Sequence, residues 1–377
     1  MVDHRVAIDT YINTGPIANA KWRGMGQLMC HMADVLVFSD VIPDSRSVLL
    51  GNCTTPILLL MTNRIDVAVA DKKNYYKFMN EVVQRPYVWF VVNNPYEAAY
   101  AGSKGVILPP ERTQLLRPVG VTLLEKPPPE AAAARSKLVA LIEHPGKPLL
   151  EITFIQPWLK ERNLMEYVQV YGKIYGGPVV LSQHKAVISI PYQASVMKMY
   201  EGMVQGTVFA VPTPRFFKEL VMDTYNGTMM EFCCRWGRGA EWGAGKGRVC
   251  MGGAGGMDTY NGTMMEFCCR AWVKDHPEDW MEVVDWYHKD FIDGHAMFDS
   301  WDELEQLIKG EGKYTPEFLA DKKATSKRLM LASRKVSLDG YRDLVEKMER
   351  QSCESLHRAD MWPPPYANAW KRPERGW

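Results

Sequence analysis

YGKIYGGPVVLSQHKAVISIPYQASVMKMYEGMVQGTVFAVPTP, residues Tyr171–Pro214, is the stretch on which the fold class turns. It reads as strand, glycine-rich turn, buried strand, tight turn, helix and strand. Val187–Ile190 is a short apolar run with β-branched residues, ended by Pro191, which suits a buried strand. A helical period starts at Gln193 or Ser195 and stops near Gly206. Val208–Val211 is the next strand, closed by Pro212. A helix that begins just past a strand's carboxyl end offers free N–H groups and the positive end of its dipole. That is a site for a phosphate or diphosphate. Glu201, flanked by Gly202 further along the helix, is placed to reach a ribose or sugar hydroxyl.

Working outward, the first half alternates apolar strands with helices. Val35–Phe38 reads as a buried strand ending at Ser39-Asp40, and Pro56–Met61 as a second, running into Thr62–Asp66. Tyr75–Val83 is helical by period, with Tyr76, Met79 and Val83 on one face. Val88–Val92 is a third strand, ending in Asn93-Asn94-Pro95-Tyr96-Glu97, and Glu97–Ser103 a short helix. Strands apolar on both faces and joined by helices argue for parallel sheets, hence an α/β fold.

The segment Tyr200–Val208, YEGMVQGTV, resembles the donor-binding half of GT-B glycosyltransferases of the group-1-like kind. In that family a Glu precedes a small residue and a Gly before the next strand, and Glu201 stands where the ribose-binding Glu lies. The resemblance implies two Rossmann-like domains facing a cleft. It implies transfer of a sugar, hexosyl in type, from a nucleotide-sugar donor to a glycan, lipid or protein acceptor. The nucleotide-sugar is then a co-substrate, with no cofactor and no metal required. The family's first acidic residue falls near Gln193–Ser195, where this chain has no carboxylate, and Gln193 and Ser195 take the donor-facing places there. That departure also admits a catalytically inactive homologue that retains a carbohydrate- or nucleotide-binding cleft.

On this frame, residues 1–124 form an N-terminal acceptor domain, which reads as truncated. Residues 125–148 are a linker whose EKPPPEAAAAR stretch is semi-rigid. Residues 149–335 form the nucleotide-sugar-binding domain, its sheet opening at Leu149–Ile155. Residues 336–377 are a helical and disordered tail. Arg117–Val121 matches the apolar, glycine-containing crossing between GT-B domains. Trp280–Phe291 and Asp302–Lys309 read as amphipathic helices, the latter with Ser300 and Glu303 in capping-box spacing. Lys322–Met348 is largely helical, and in GT-B folds a late helix packs back across the first domain.

For the leaving diphosphate, Lys160 and Arg162 follow the expected first strand of the second domain, where the family places basic residues. Gly176 and Gly177 permit close backbone approach to a donor or form a turn. As acceptor base, Asp40 and Asp66 are the candidates, among Asn63, Arg64, Asn93, Asn94 and Glu97 just past apolar strands. His184, a lone histidine beside a strand, reads as structural. No D-x-D follows an apolar strand, so the metal-dependent alternative lacks its usual signature.

Composition bounds the rest. The 377 residues are 46% hydrophobic and 24% charged with a net charge of +1, which describes a globular chain without a field that draws nucleic acid. No apolar run approaches the roughly 18 residues of a membrane span, and the N-terminus lacks a signal-peptide core. Eight cysteines in no regular framework agree with a reducing, cytoplasmic setting. MDTYNGTMMEFCCR occurs twice without a difference, at Met222–Arg235 and Met257–Arg270, around a glycine-rich stretch with no apolar period. Natural repeats drift and recur more often. Residues 222–256 therefore read as a duplicated insert, not a functional module.

Overall fold

The structure is a computed structural model and describes residues 14–21, 26–51, 53, 55–67, 69–120, 129–143, 154–172, 174–191, 194–222 and 283–356. The chain is α/β, with two parallel sheets in two Rossmann-like domains. The first sheet runs β1 (Leu36–Ser39), β2 (Ile57–Met61), β3 (Val88–Val92) and β4 (Thr113–Leu115), in that spatial order. The second contains β5 (Val139–Ile142), β6 (Val168–Tyr171), β7 (Val187–Ile188), β8 (Phe209–Pro212) and β9 (Ala296–Phe298), in the order β6-β5-β7-β8-β9.

The two orders have different consequences. In the first sheet every crossover steps the same way, so right-handed connections put the helices Lys72–Val82 and Pro95–Ser103 on one face. Ile57, Leu59 and Met61 of β2 and Val88, Phe90 and Val92 of β3 pack into the large core. Their neighbours Leu58 and Val91 point the other way, because strand side chains alternate. That second face is covered by the long helix Pro316–Leu356, whose Leu344 and Met348 bury against Leu58, Val91 and Leu116. Trp89 Nε1 donates to Gln351 Oε1 at 2.8 Å, and Gln351 Nε2 to the Pro86 carbonyl at 2.9 Å. Near its other end the same helix sits on the second domain, where Ser326 Oγ donates to the Thr207 carbonyl at 3.0 Å. The expected late helix is present and longer than its apolar period implied.

The second sheet has the 2-1-3-4-5 order of flavodoxin-like folds, so its winding reverses between β5 and β7. Right-handed crossovers then set the helix Gln156–Glu161 on one face and the helices Gly177–Leu181, Met197–Val204 and Pro214–Met222 on the other. Burial follows: β5 and β8 are buried at every residue.

Three expectations change. The second sheet opens at β5, inside the segment read as linker, because Val139–Ile142 is a short buried strand masked by the alanine-rich helix Pro129–Arg135 before it. Of the expected strand Leu149–Ile155, residues 149–153 lie outside the described residues, and Phe154 and Ile155 lead into the helix Gln156–Glu161. Val283–Phe291 forms successive turns, not a helix. Its backbone is committed elsewhere, since Asp285 N donates to the Ala194 carbonyl at 2.9 Å. Cys30 and Cys53 form a disulfide with Cα atoms 5.7 Å apart, so the cysteines are not uniformly reduced. Among the described residues no helix is long and apolar enough to cross a membrane. The duplicated insert lies, Met222 apart, outside the described residues.

Candidate functional site

The carboxyl edges of the two sheets meet. Asn94, two residues past β3, donates from Nδ2 to Ser195 Oγ at 2.9 Å, and Ser195 lies on the loop between β7 and the helix Met197–Val204. The same amide donates its other proton to Asn93 Oδ1 at 2.7 Å. Asn94 Oδ1 accepts from Glu97 N at 3.2 Å, capping the helix Pro95–Ser103. Local chemistry explains the cap: the extended Asn94 followed by Pro95 is a standard helix opening.

On the second-domain side, Ser195 and Glu201 are brought to the winding reversal between β5 and β7. Glu201 is half-buried on the helix Met197–Val204, and burial raises its carboxyl above the usual range. No described residue hydrogen-bonds it. Its charge is felt by Tyr175, whose hydroxyl is raised first by burial and then by Glu201. Gly176 and Gly177 stand beside Tyr175, both at φ +81, with Gly176 capping the next helix. A Cβ on Gly176 would meet Val180 Cγ2 at 2.7 Å, whereas nothing lies within 4 Å of one on Gly177. Gly176 is thus required by the turn, and Gly177 borders open space. Gln193 lies outside the described residues.

Lys160 and Arg162 are placed differently. They sit at the C-terminal end of the helix Gln156–Glu161, which runs from the carboxyl edge of β5 toward the opposite edge of the sheet. Both are exposed. Arg162 pairs with Glu305 at 3.3 Å and faces Asp302 at 3.9 Å, beside the Trp158–Trp301 ring contact of 4.8 Å. The structure does not bring either cation to Glu201.

Three carboxyls crowd the carboxyl edge of the first sheet. Asp40, exposed and at φ +67, accepts from Asn63 Nδ2 and, at 3.5 Å, from Thr62 Oγ1. Asp66 is buried and takes its partners on one oxygen: Tyr76 OH donates to Oδ2 at 2.6 Å, Tyr100 OH at 3.2 Å, and Lys72 Nζ lies 3.0 Å from it, while Oδ1 has no hydrogen-bond partner and faces Arg64 Nε at 3.9 Å. Burial opposes its ionisation, but Arg64, Lys72 and the Tyr76 hydroxyl outweigh that and hold the carboxyl below its ordinary range. Glu97 is the opposite case. It is 3% exposed, and its Oε2 is buried without a hydrogen-bond partner. Burial, against the pull of Arg64 and the Asn94 contact, pushes it up to about 8.

A further cluster lies behind the helix Met197–Val204. Tyr200 OH donates to Asp285 Oδ2, Arg117 Nε to Asp285 Oδ1 at 3.1 Å, and Arg117 Nη1 to Asp290 Oδ2 at 2.8 Å. Arg117 also meets His288 Nδ1 at 3.1 Å and stacks over Phe291, 5.1 Å from its centroid. Burial is the larger influence on Asp285 and raises it to about 6, although Arg117 and Tyr200 oppose the rise. Sequence reasoning missed this cluster because its members lie in three separate stretches. The one local signal was a charged Arg117 at the head of an apolar crossing segment. His184 is structural as expected: its Nδ1 lies 3.3 Å from the Leu138 carbonyl and its Nε2 2.8 Å from Tyr171 OH. Among the described residues no group of three or more His, Cys, Asp or Glu side chains is placed to hold a metal ion.

No family model and no curated protein matches this sequence. One solved structure, the glycotransferase of kitacinnamycin, aligns over 89% of this chain and 82% of its own, at 11% identity and a TM-score of 0.39. With a likeness that distant, function has to be argued from the site.

Proposed function

We propose that this chain is a glycosyltransferase of GT-B type that moves a sugar from a nucleotide-sugar to a hydroxyl-bearing acceptor. The observation that carries the reading is Glu201. It is a half-buried carboxylate with no hydrogen-bond partner among the described residues, on the helix that follows β7 at the winding reversal of the second sheet. Ligands of open parallel sheets bind at that reversal. A carboxylate there accepts hydrogen bonds from ribose hydroxyls, and the N–H groups opening the helix Met197–Val204 face the diphosphate. Gly177 leaves room for the donor to approach the backbone.

In the transfer, the bond from the anomeric carbon to the diphosphate oxygen breaks and its electron pair leaves with the nucleotide. The acceptor oxygen bonds to that carbon and gives up its proton. Of the two aspartates considered for that proton, Asp40 is the better placed, being exposed at the carboxyl edge of β1. Asp66, held ionised by two cations and two hydroxyls, is a weak base and serves as a structural anchor.

The test is a thermal-shift screen against UDP-, GDP- and ADP-sugars, on this chain, on one lacking residues 222–256, and on Glu201→Ala. Selective binding to the folded state raises stability by about 2.7 kcal/mol at 100 times the dissociation constant. A shift with one nucleotide class that disappears in Glu201→Ala is the expected result. An equal shift in Glu201→Ala removes the assignment of that residue, and no shift with any nucleotide favours a non-catalytic homologue.

A further inference from the structure

The helix that carries Glu201 is held from outside its own domain. β7, the strand before it, pairs over two residues only, so the loop between them has little sheet to anchor it. Two grips replace that anchor. One is Asn94 of the first domain on Ser195. The other begins at Arg117, just past β4 and also in the first domain. Arg117 fixes Asp285, whose backbone N–H holds the Ala194 carbonyl and whose carboxylate takes the hydroxyl of Tyr200, the residue before Glu201. Ser195 also acts on the Tyr200 hydroxyl, opposing the rise that burial and Asp285 impose on it, so the two grips bear on neighbouring groups. The crossing segment also leaves no slack: at Gly120, φ +61, a Cβ would stand 2.7 Å from the Tyr200 carbonyl oxygen.

We propose that Asn94 and Arg117 are positioning residues for a nucleoside-diphosphate sugar, acting through Ser195 and through Asp285–Tyr200, so that the donor site is complete only while the two domains are docked. The inference rests on the donor site placed at Glu201. Neither residue touches the donor; each sets the height and rotation of the helix that does. Loss of either grip leaves both sheets intact and frees the loop 194–196 to move.

The full chain tests this with Asn94→Ser, which keeps a capping oxygen and loses the amide, and Arg117→Lys, which keeps the charge and loses the fork. UDP, GDP and ADP are titrated by calorimetry against both variants, wild type and Glu201→Ala, and amide exchange is followed by mass spectrometry. The expected result is a nucleotide affinity about tenfold weaker in each variant than in wild type. Faster exchange confined to residues 194–206 and 283–291, with β2 and β3 still protected, accompanies it; a general loss of packing would raise exchange in both sheets. Wild-type affinity in Asn94→Ser and Arg117→Lys, while Glu201→Ala fails to bind, overturns the positioning role and leaves the function standing. If wild type binds none of the three nucleotides, the functional reading fails, and unchanged exchange at 194–206 overturns the positioning role separately.

Discussion

Arg117 and Asp285, 168 positions apart in sequence, form a 3.1 Å ion pair in which neither partner is more than 8% exposed. A pair so shielded is expensive to assemble and more expensive to break, because the survivor is left charged and dry. Arg117→Ala is expected to cost about 3–5 kcal/mol at pH 8 by urea unfolding. The cost shrinks toward pH 5, since Asp285 is already raised to about 6 and gains a proton once Arg117 is gone. A pH-independent loss would mean that packing, not charge, is what Arg117 supplies.

Glu97 sets a pH dependence of known sign. Its folded pKa of about 8 lies above the 4.5 of an ordinary glutamate, so its favourable contribution is complete below pH 4.5 and lost as pH rises through 8. Glu97→Gln removes that proton dependence. The variant is expected to exceed wild type by on the order of 3 kcal/mol at pH 7, with a larger gain at pH 9 and none at pH 4. Parallel stability curves from pH 5 to 9 would show that Glu97 ionises freely in the folded state.

The long helix Pro316–Leu356 is a cover for the first sheet as well as a bridge between domains. Leu344→Ala opens a cavity against Leu58, Val91 and Leu116 and is expected to cost about 2–5 kcal/mol. Local proteolysis should then cut near residue 350 before the second domain is touched. A stability change under 0.5 kcal/mol would argue that this face of the sheet is covered by something else.

Ser300 caps the helix Trp301–Lys309, accepting from Glu303 N at 3.1 Å, while Glu303 Oε2 takes the Asp299 N–H at 2.8 Å. Ser300→Ala should lower stability by about 1 kcal/mol and Ser300→Asp by much less. Equal losses in the two variants would place the role of Ser300 outside capping.

Much of this fold was legible locally. Val88–Val92 reads as a strand because five consecutive apolar residues, bounded by Pro86 and Asn93, satisfy a strand buried on both faces. Ser300 and Glu303 announce a helix start because a cap involves neighbours only. The placing of Ser195 in the loop and Glu201 on the helix after β7 was legible for the same reason: strand, turn and helix lie within one short stretch. Val283–Phe291 was misread because its apolar residues suit a helix, while the bonds that hold it run to Ala194, Arg117 and Tyr200.

The sequence by itself determined where β1–β3, β7, β8 and the helix after β7 form, that the sheets are parallel, and that a carboxylate rides that helix. Each depends on patterns a few residues long, and such patterns survive without the rest of the molecule. Only the tertiary structure decided which strands neighbour which, that the second sheet reverses between β5 and β7, and that the long helix closes the first sheet's bare face. It also decided that two cations and a tyrosine hydroxyl hold Asp66 below its ordinary range while burial raises Glu97. Burial and charge pairing are properties of what surrounds a side chain, and for these residues the surroundings come from distant parts of the chain.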